Sequence, residues 1–154
     1  TISCVRGFLL NFGVYHATGA ALGRPFVWSP PITFLAVFMS IFACVIALAK
    51  DLPDIRGDVA GGVPTFASKA GAPAIIRVVL ALLALNYVGA IVTAFLAPAS
   101  AFRTPVLVIG HVILGSGLAL RARSIDPNSQ QSVKSFYAFI WTLFYAEYIL
   151  FPFI

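Results

Sequence analysis

Residues 31–49 read PITFLAVFMSIFACVIALA, nineteen positions without a charge, and residues 50–58 read KDLPDIRGD, three acids and two bases in nine positions. A helix that crosses a bilayer needs about 20 mostly apolar residues. The first stretch therefore predicts a membrane span, and the second is its polar end. The chain has five acidic residues in all, and three of them stand in this short end piece. Carboxylates crowded together repel unless something positive is held among them. Ionisable groups at a membrane boundary read as a site with a partner.

The spacing narrows the partner. Asp54 and Asp58 are four residues apart, and Asp51 is three before Asp54, offsets that share one face of a helix. Pro53 disfavours the helical conformation at Leu52, so the helix breaks or restarts there and Asp51 belongs to the preceding segment. One or two carboxylates completed by phosphate oxygens and water suit Mg²⁺. The plain alternative is a solvated run of charges paired with Lys50 and Arg56.

Outward from this stretch, the composition has the same character. The 154 residues are 60% hydrophobic and 10% charged, against roughly 25% charged in soluble domains. The net charge of +5 does not form a basic stripe with interleaved aromatics, so nucleic acid is not a partner. Five spans are expected, at about 5–22, 31–49, 78–96, 105–120 and 135–151, and no period-two pattern suggests a barrel. The fold class is all-α, a multi-pass helical bundle in a lipid bilayer, read as a single membrane domain over 1–154. Pro31, Pro73 and Pro105 stand where a first helical turn tolerates proline, and Gly89, Gly110, Gly115 and Gly117 would let helices approach. Cys4 and Cys44 follow no metal spacing and read as packing residues. Thr1 opens into helix-like sequence without a leader, which reads as one half of a larger protein.

Five spans alternate sides. One side then carries eight basic residues (Arg6, Lys50, Arg56, Lys69, Arg77, Arg121, Arg123 and Lys134) and the other two, Arg24 and Arg103. The positive-inside rule assigns the first side to the cytoplasm or its organellar equivalent. The acids open there, within a loop of about 50–73 that is long enough to expect a function.

Other polar residues carry two readings each. Lys69, with Thr65, suits a diphosphate, as three donors on a point charge, or marks the membrane surface. Arg6 suits diphosphate or an aromatic acid's carboxylate, or anchors at the interface. Asn11 and His16 lie deeper on the first span, as substrate contacts or interhelical packing. His111 reads as an interhelical hydrogen-bonding group. Glu147 reads as structural and in need of a partner. The aromatics of the last span read as packing and belt residues, some of them lining a path for an isoprenoid tail.

The pattern Asp-x-x-Asp-x-x-x-Asp at 51–58, followed by Gly-x-x-Thr at 62–65 and a basic residue, resembles the second aspartate-rich motif of UbiA-type intramembrane prenyltransferases. The stretches CVRGFLLNFGVYHAT (4–18), AKDLPDIRGD (49–58) and FIWTLFYAEYILFPFI (139–154) narrow this. They resemble the plastid homogentisate prenyltransferases, most of all the homogentisate solanesyltransferases. The resemblance implies nine transmembrane helices around a cavity, with this chain supplying the last five. It implies a partner in the N-terminal half of the same enzyme, which carries the first aspartate-rich motif. It implies Mg²⁺ on Asp54, Asp58 and Asp51, with Asp54 and Asp58 catalytic. Lys69, Arg6 and Lys50 would bind diphosphate, and Asn11 and His16 the substrate. Two departures stand out: the family often has an acid where this chain has Arg56, and a base where it has Val59 and Ala60.

The expected function is transfer of a long prenyl group, solanesyl, from its diphosphate to homogentisate with loss of the carboxylate, for plastoquinone formation. The expected location is the chloroplast inner envelope with the acids facing the stroma. Phytyl transfer and chlorophyll-synthase-like transfer are the near alternatives. A cation-coupled transporter would place acids at the midplane on several helices, and a non-catalytic assembly subunit would leave the acids without a purpose.

Overall fold

The computed structural model of the protein describes residues 2–63 and 65–154, and the side chains of all of these except Ser3, Cys4, Arg56 and Phe66. The readings of Arg56 and of Cys4 as a packing group lie outside the described residues. Cys44 is disulfide-bonded, which corrects its reading as a simple packing residue.

The described residues form helices and turns without a strand. The first helical path runs through α1 (Ile2–Phe8), a π-helical segment (Leu9–Gly13) and α2 (Val14–Ala21). Then come α3 (Pro30–Ala49), a 3₁₀ turn (Leu52–Asp54), α4 (Ile55–Ala60) and α5 (Phe66–Ala70). Three long helices complete the chain: α6 (Ala72–Leu96), α7 (Thr104–Ala122) and α8 (Gln130–Leu150). The expected prolines do fall in the first turns of α3, α6 and α7, where the missing N–H costs nothing. Ser129 caps α8 by accepting from the Ser132 amide at 3.3 Å.

Among the described residues, four stretches are long and apolar enough to cross a membrane: Pro30–Asp54, Ala72–Leu96, Thr104–Ala122 and Gln130–Phe153. The first expected span is helical from Ile2 to Ala21 but is not among them. Arg6, Asn11 and His16 dilute its apolar content. The expected site loop is not irregular: it folds as the 3₁₀ turn, α4 and α5.

α3 is the hub. α1, α6 and α8 pack on it, and α7 packs on α6. The core is an aromatic and aliphatic column of Phe38, Met39, Phe42, Val79, Leu83, Phe136 and Ile140, all buried. A smaller cluster of Ala94, Phe102 and Leu107 closes the other end. Lipid is as apolar as these side chains, so helix association rests on close packing and interhelical hydrogen bonds rather than on leaving water. Two contacts show this. Asn86 Nδ2 donates to the Phe38 carbonyl at 3.2 Å, tying α6 to α3. A Cβ on Gly7 would lie 3.0 Å from Ser40 Cα and 3.2 Å from the Met39 carbonyl, so α1 lies backbone-close on α3. Of the four small residues singled out in sequence, Gly110 sits under Leu150 and Gly115 against Tyr87, whereas Gly89 and Gly117 face open space.

Candidate functional site: a cavity with a cationic mouth beside an acidic turn

α1 and α8 both lean on α3, and the trough between them is a cavity of about 520 Å³. α1 and the π-helical segment contribute Arg6, Gly7, Leu10 and Asn11; α3 and its end contribute Met39, Ala43, Ile46, Ala47 and Lys50. The third wall is Tyr137, Trp141, Phe144 and Tyr148. Their spacing of four, three and four residues is one face of α8. The rings meet edge to face: Tyr137 on Trp141 at 6.4 Å, Trp141 on Phe144 at 5.5 Å, and Phe144 on Tyr148 at 5.0 Å. That geometry is the favourable one for aromatic pairs.

Chain direction orders the trough. α3 ends at Lys50, while α1 and α8 start on that same side. Arg6, Lys50 and Tyr137 therefore lie at one end and Asn11, Met39 and Tyr148 at the other. Tyr137 to Tyr148 is eleven residues of α8, about 16 Å of depth. At the deep end the Tyr148 hydroxyl donates to Asn11 Oδ1 at 3.1 Å, and Asn11 Nδ2 donates to the Gly7 carbonyl at 2.8 Å. Asn11 sits in the π-helical segment, a local irregularity often found at functional sites.

The acidic turn adjoins the mouth through Lys50, whose Nζ is 3.9 Å from Asp51 Oδ1. Buried Leu52 pins the turn to the core. Gln130 Nε2, at the start of α8, donates to the Pro53 carbonyl at 3.2 Å. As expected of Pro53, the helix breaks there. Asp54 occupies the N-cap position of α4 without a capping hydrogen bond. Its carboxylate instead lies over Gly57: a Cβ there would stand 2.6 Å from Asp54 Oδ1. Asp58, one turn on, accepts from the Thr65 hydroxyl at 3.0 Å. Among the described residues no group of three or more His, Cys, Asp or Glu is gathered closely enough to hold a metal ion. Asp54 and Asp58 are hard oxygen donors on consecutive turns. They fit a cation that takes one or two protein carboxylates and fills its remaining positions with water and phosphate, as magnesium does.

Arg6, Asn11 and Lys50 thus come together in one cavity. The other candidates stand elsewhere. Lys69 is exposed on α5. His16 lines a separate recess with Tyr15, Arg24 and Phe26, its ring 4.4 Å from that of Phe12 and 4.5 Å from that of Phe26. Tyr148 was expected only as one of the last-span aromatics, some of them lining a path for the tail, and it does line the cavity; no sequence signal pointed to Gln130.

Glu147 has the partner it required. Its Oε2 is 3.3 Å from His111 Nε2, and both side chains are almost completely buried. His111 Nδ1 is 2.6 Å from the Leu107 carbonyl. A carbonyl only accepts, so Nδ1 carries a proton.

The profile of the UbiA prenyltransferase family matches residues 1–143. The chain is 49% identical over 155 residues to a chloroplastic homogentisate solanesyltransferase of Arabidopsis thaliana, covering 99% of this chain and 40% of that protein. It is 48% identical to a probable chloroplastic homogentisate phytyltransferase 2 of Oryza sativa subsp. japonica, covering 99% of this chain and 41% of that protein. To a 2-acylphloroglucinol 4-prenyltransferase of Humulus lupulus it is 46% identical over 147 residues, 94% of this chain and 35% of that one. The chain therefore spans about two fifths of the length of these relatives. No solved structure matches it. With a family profile over nearly its whole length, and an aspartate-bearing turn beside a cavity walled by aromatic rings, the chain belongs to the UbiA prenyltransferase family.

Proposed function

We propose that this chain is part of an aromatic prenyltransferase of a chloroplast membrane that moves a prenyl group, solanesyl, from its diphosphate to homogentisate. The observation that carries the reading is the alignment with homogentisate-acting relatives along 99% of the chain. The cavity supports it. Lys50 and Arg6 at the mouth would hold the diphosphate, with Lys69 as a further surface cation. The aromatic wall would face the hydrocarbon, where ring faces stabilise positive charge. Asp54 and Asp58, with Asp51 at the mouth, would hold Mg²⁺. Bound there, the ion would neutralise charge on the diphosphate and make it a better leaving group.

In the reaction the allylic carbon–oxygen bond breaks and diphosphate departs with the electron pair. The electron-rich ring forms the new carbon–carbon bond and releases a ring proton. The side-chain carboxylate leaves as carbon dioxide, and the methylene carbon that carried it takes up a proton. Asn11, held by Tyr148, would contact the substrate from the deep end, and the apolar lining would keep water from the cation. The acidic turn and the basic mouth would face the stroma, and the rest of the enzyme would supply the opposite wall.

The test is the full-length enzyme in detergent with homogentisate and a panel of solanesyl, geranylgeranyl and phytyl diphosphates, with and without Mg²⁺. Solanesyl transfer should dominate and vanish with excess chelator, and Asp54→Ala or Asp58→Ala should each abolish it. Preference for phytyl diphosphate would instead support the reading suggested by the rice relative. Turnover surviving both substitutions would overturn the metal–diphosphate mechanism.

A further inference from the structure

We propose that Thr65 is a positioning residue that sets the orientation of the Asp58 carboxylate toward the metal, an inference that rests on the reading of Asp58 as a magnesium ligand. A hydroxyl has one proton to give. The Thr65 oxygen accepts the Ser68 amide at 3.0 Å, and its own proton goes to Asp58 Oδ2 at 3.0 Å. The incoming amide fixes the hydroxyl from one side, so its donation to the carboxylate has a set direction.

The segment that carries Thr65 is itself tied to Asp58. The Val63 amide donates to the Asp58 carbonyl at 2.8 Å. The Ser68 hydroxyl is within hydrogen-bonding distance of the Val63 carbonyl, 3.2 Å, and the Thr65 carbonyl, 2.9 Å. Gly62, at φ +66°, makes the left-handed turn that brings the chain back on α4. With Oδ2 held, the plane of the carboxylate is fixed before any cation arrives. Partners of this kind behind a metal ligand are worth about 10–100-fold in metal affinity or activity.

The experiment uses the full-length enzyme in detergent and follows Mn²⁺ binding by electron paramagnetic resonance in the presence of a prenyl diphosphate, alongside the Mg²⁺ activation constant. Thr65→Val should weaken Mn²⁺ binding by about tenfold and raise the Mg²⁺ requirement, with kcat at saturating Mg²⁺ little changed. Thr65→Ser should restore binding. Thr65→Gly removes the hydroxyl at an N-cap position that tolerates glycine at little cost, and it should bind as weakly as Thr65→Val. Wild-type Mn²⁺ affinity in Thr65→Val and Thr65→Gly, with Asp58→Asn deficient, would overturn the role of Thr65 while leaving the metal site standing. Wild-type affinity in Asp58→Asn would remove the metal reading and this inference with it. A Thr65→Ser protein that binds as weakly as Thr65→Val would also overturn it, since the hydroxyl would not be what matters.

Discussion

The hydroxyl of Tyr148 reaches across the cavity to the side-chain oxygen of Asn11, 3.1 Å away, and joins two helices whose sequence positions are 137 apart. Both residues line the cavity. The bond closes its deep end and holds Asn11 in one orientation, because the Asn11 amide nitrogen is already committed to Gly7.

Tyr148→Phe keeps the ring and removes the bond. An intramolecular hydrogen bond contributes about 0.5–1.5 kcal/mol net, so the variant should lose no more than about tenfold in kcat/KM. The loss should fall on the aromatic acceptor rather than on the prenyl diphosphate. Steady-state kinetics with each substrate varied in turn checks this.

Gly57→Ala separates activity from stability. Its new methyl would meet Asp54 Oδ1 at 2.6 Å. That atom is the free end of a short side chain and can swing away. The helix should gain from losing a glycine, by up to about 1 kcal/mol, so the melting temperature should hold or rise. The displaced carboxylate should cost about tenfold or more in activity at low Mg²⁺. Thermal unfolding and a Mg²⁺ titration of rate, run together, give the two answers.

Gly7→Ala has the opposite character. Its neighbours are the Ser40 Cα and the Met39 carbonyl, backbone atoms that cannot rotate away. Overpacking of this kind costs about 1–3 kcal/mol, and α1 should part from α3. Gly13→Ala, with nothing within 4 Å, should leave the melting temperature unchanged or raise it. The pair of thermal melts in detergent is the check.

His111 and Glu147 should not be equivalent when replaced. Glu147→Leu leaves His111 with Nδ1 still bonded to Leu107 and should cost about 1 kcal/mol. His111→Leu leaves a buried acid with only Tyr87 beside it and should cost more, about 3 kcal/mol. The double substitution should be milder than the sum. A double-mutant cycle on unfolding measures the difference.

Much of the fold is legible in the amino-acid order because lipid allows few alternatives. The charge-free run before Lys50 becomes α3 within one residue of its expected start, and the prolines mark helix starts. The break at Pro53 is also readable from local sterics. What is hidden is anything that depends on which faces meet. Aromatics on α8 cover several faces; the spacing of Tyr137, Trp141, Phe144 and Tyr148 puts them on one, but nothing local says that this is the face turned to α1. Asn11 and Tyr148, like His111 and Glu147, find one another only after distant helices pack. His16 and Asn11 look alike on the first helix, yet they line different recesses. Thr65 was visible as a polar residue after the acids, but its hydroxyl turns to Asp58 because Gly62 bends the chain back.

The pairing of His111 with Glu147 bears on how the protein enters its membrane. An isolated α8 would carry a lone acid in its last turns, where an ionisable side chain in hydrocarbon is costly without a partner. α7 brings the imidazole that relieves this, and it is the segment made just before. Insertion of α7 and α8 as one hairpin would avoid that cost by bringing His111 to Glu147. A chain halted between the two helices would leave α7 in the bilayer without its counterpart.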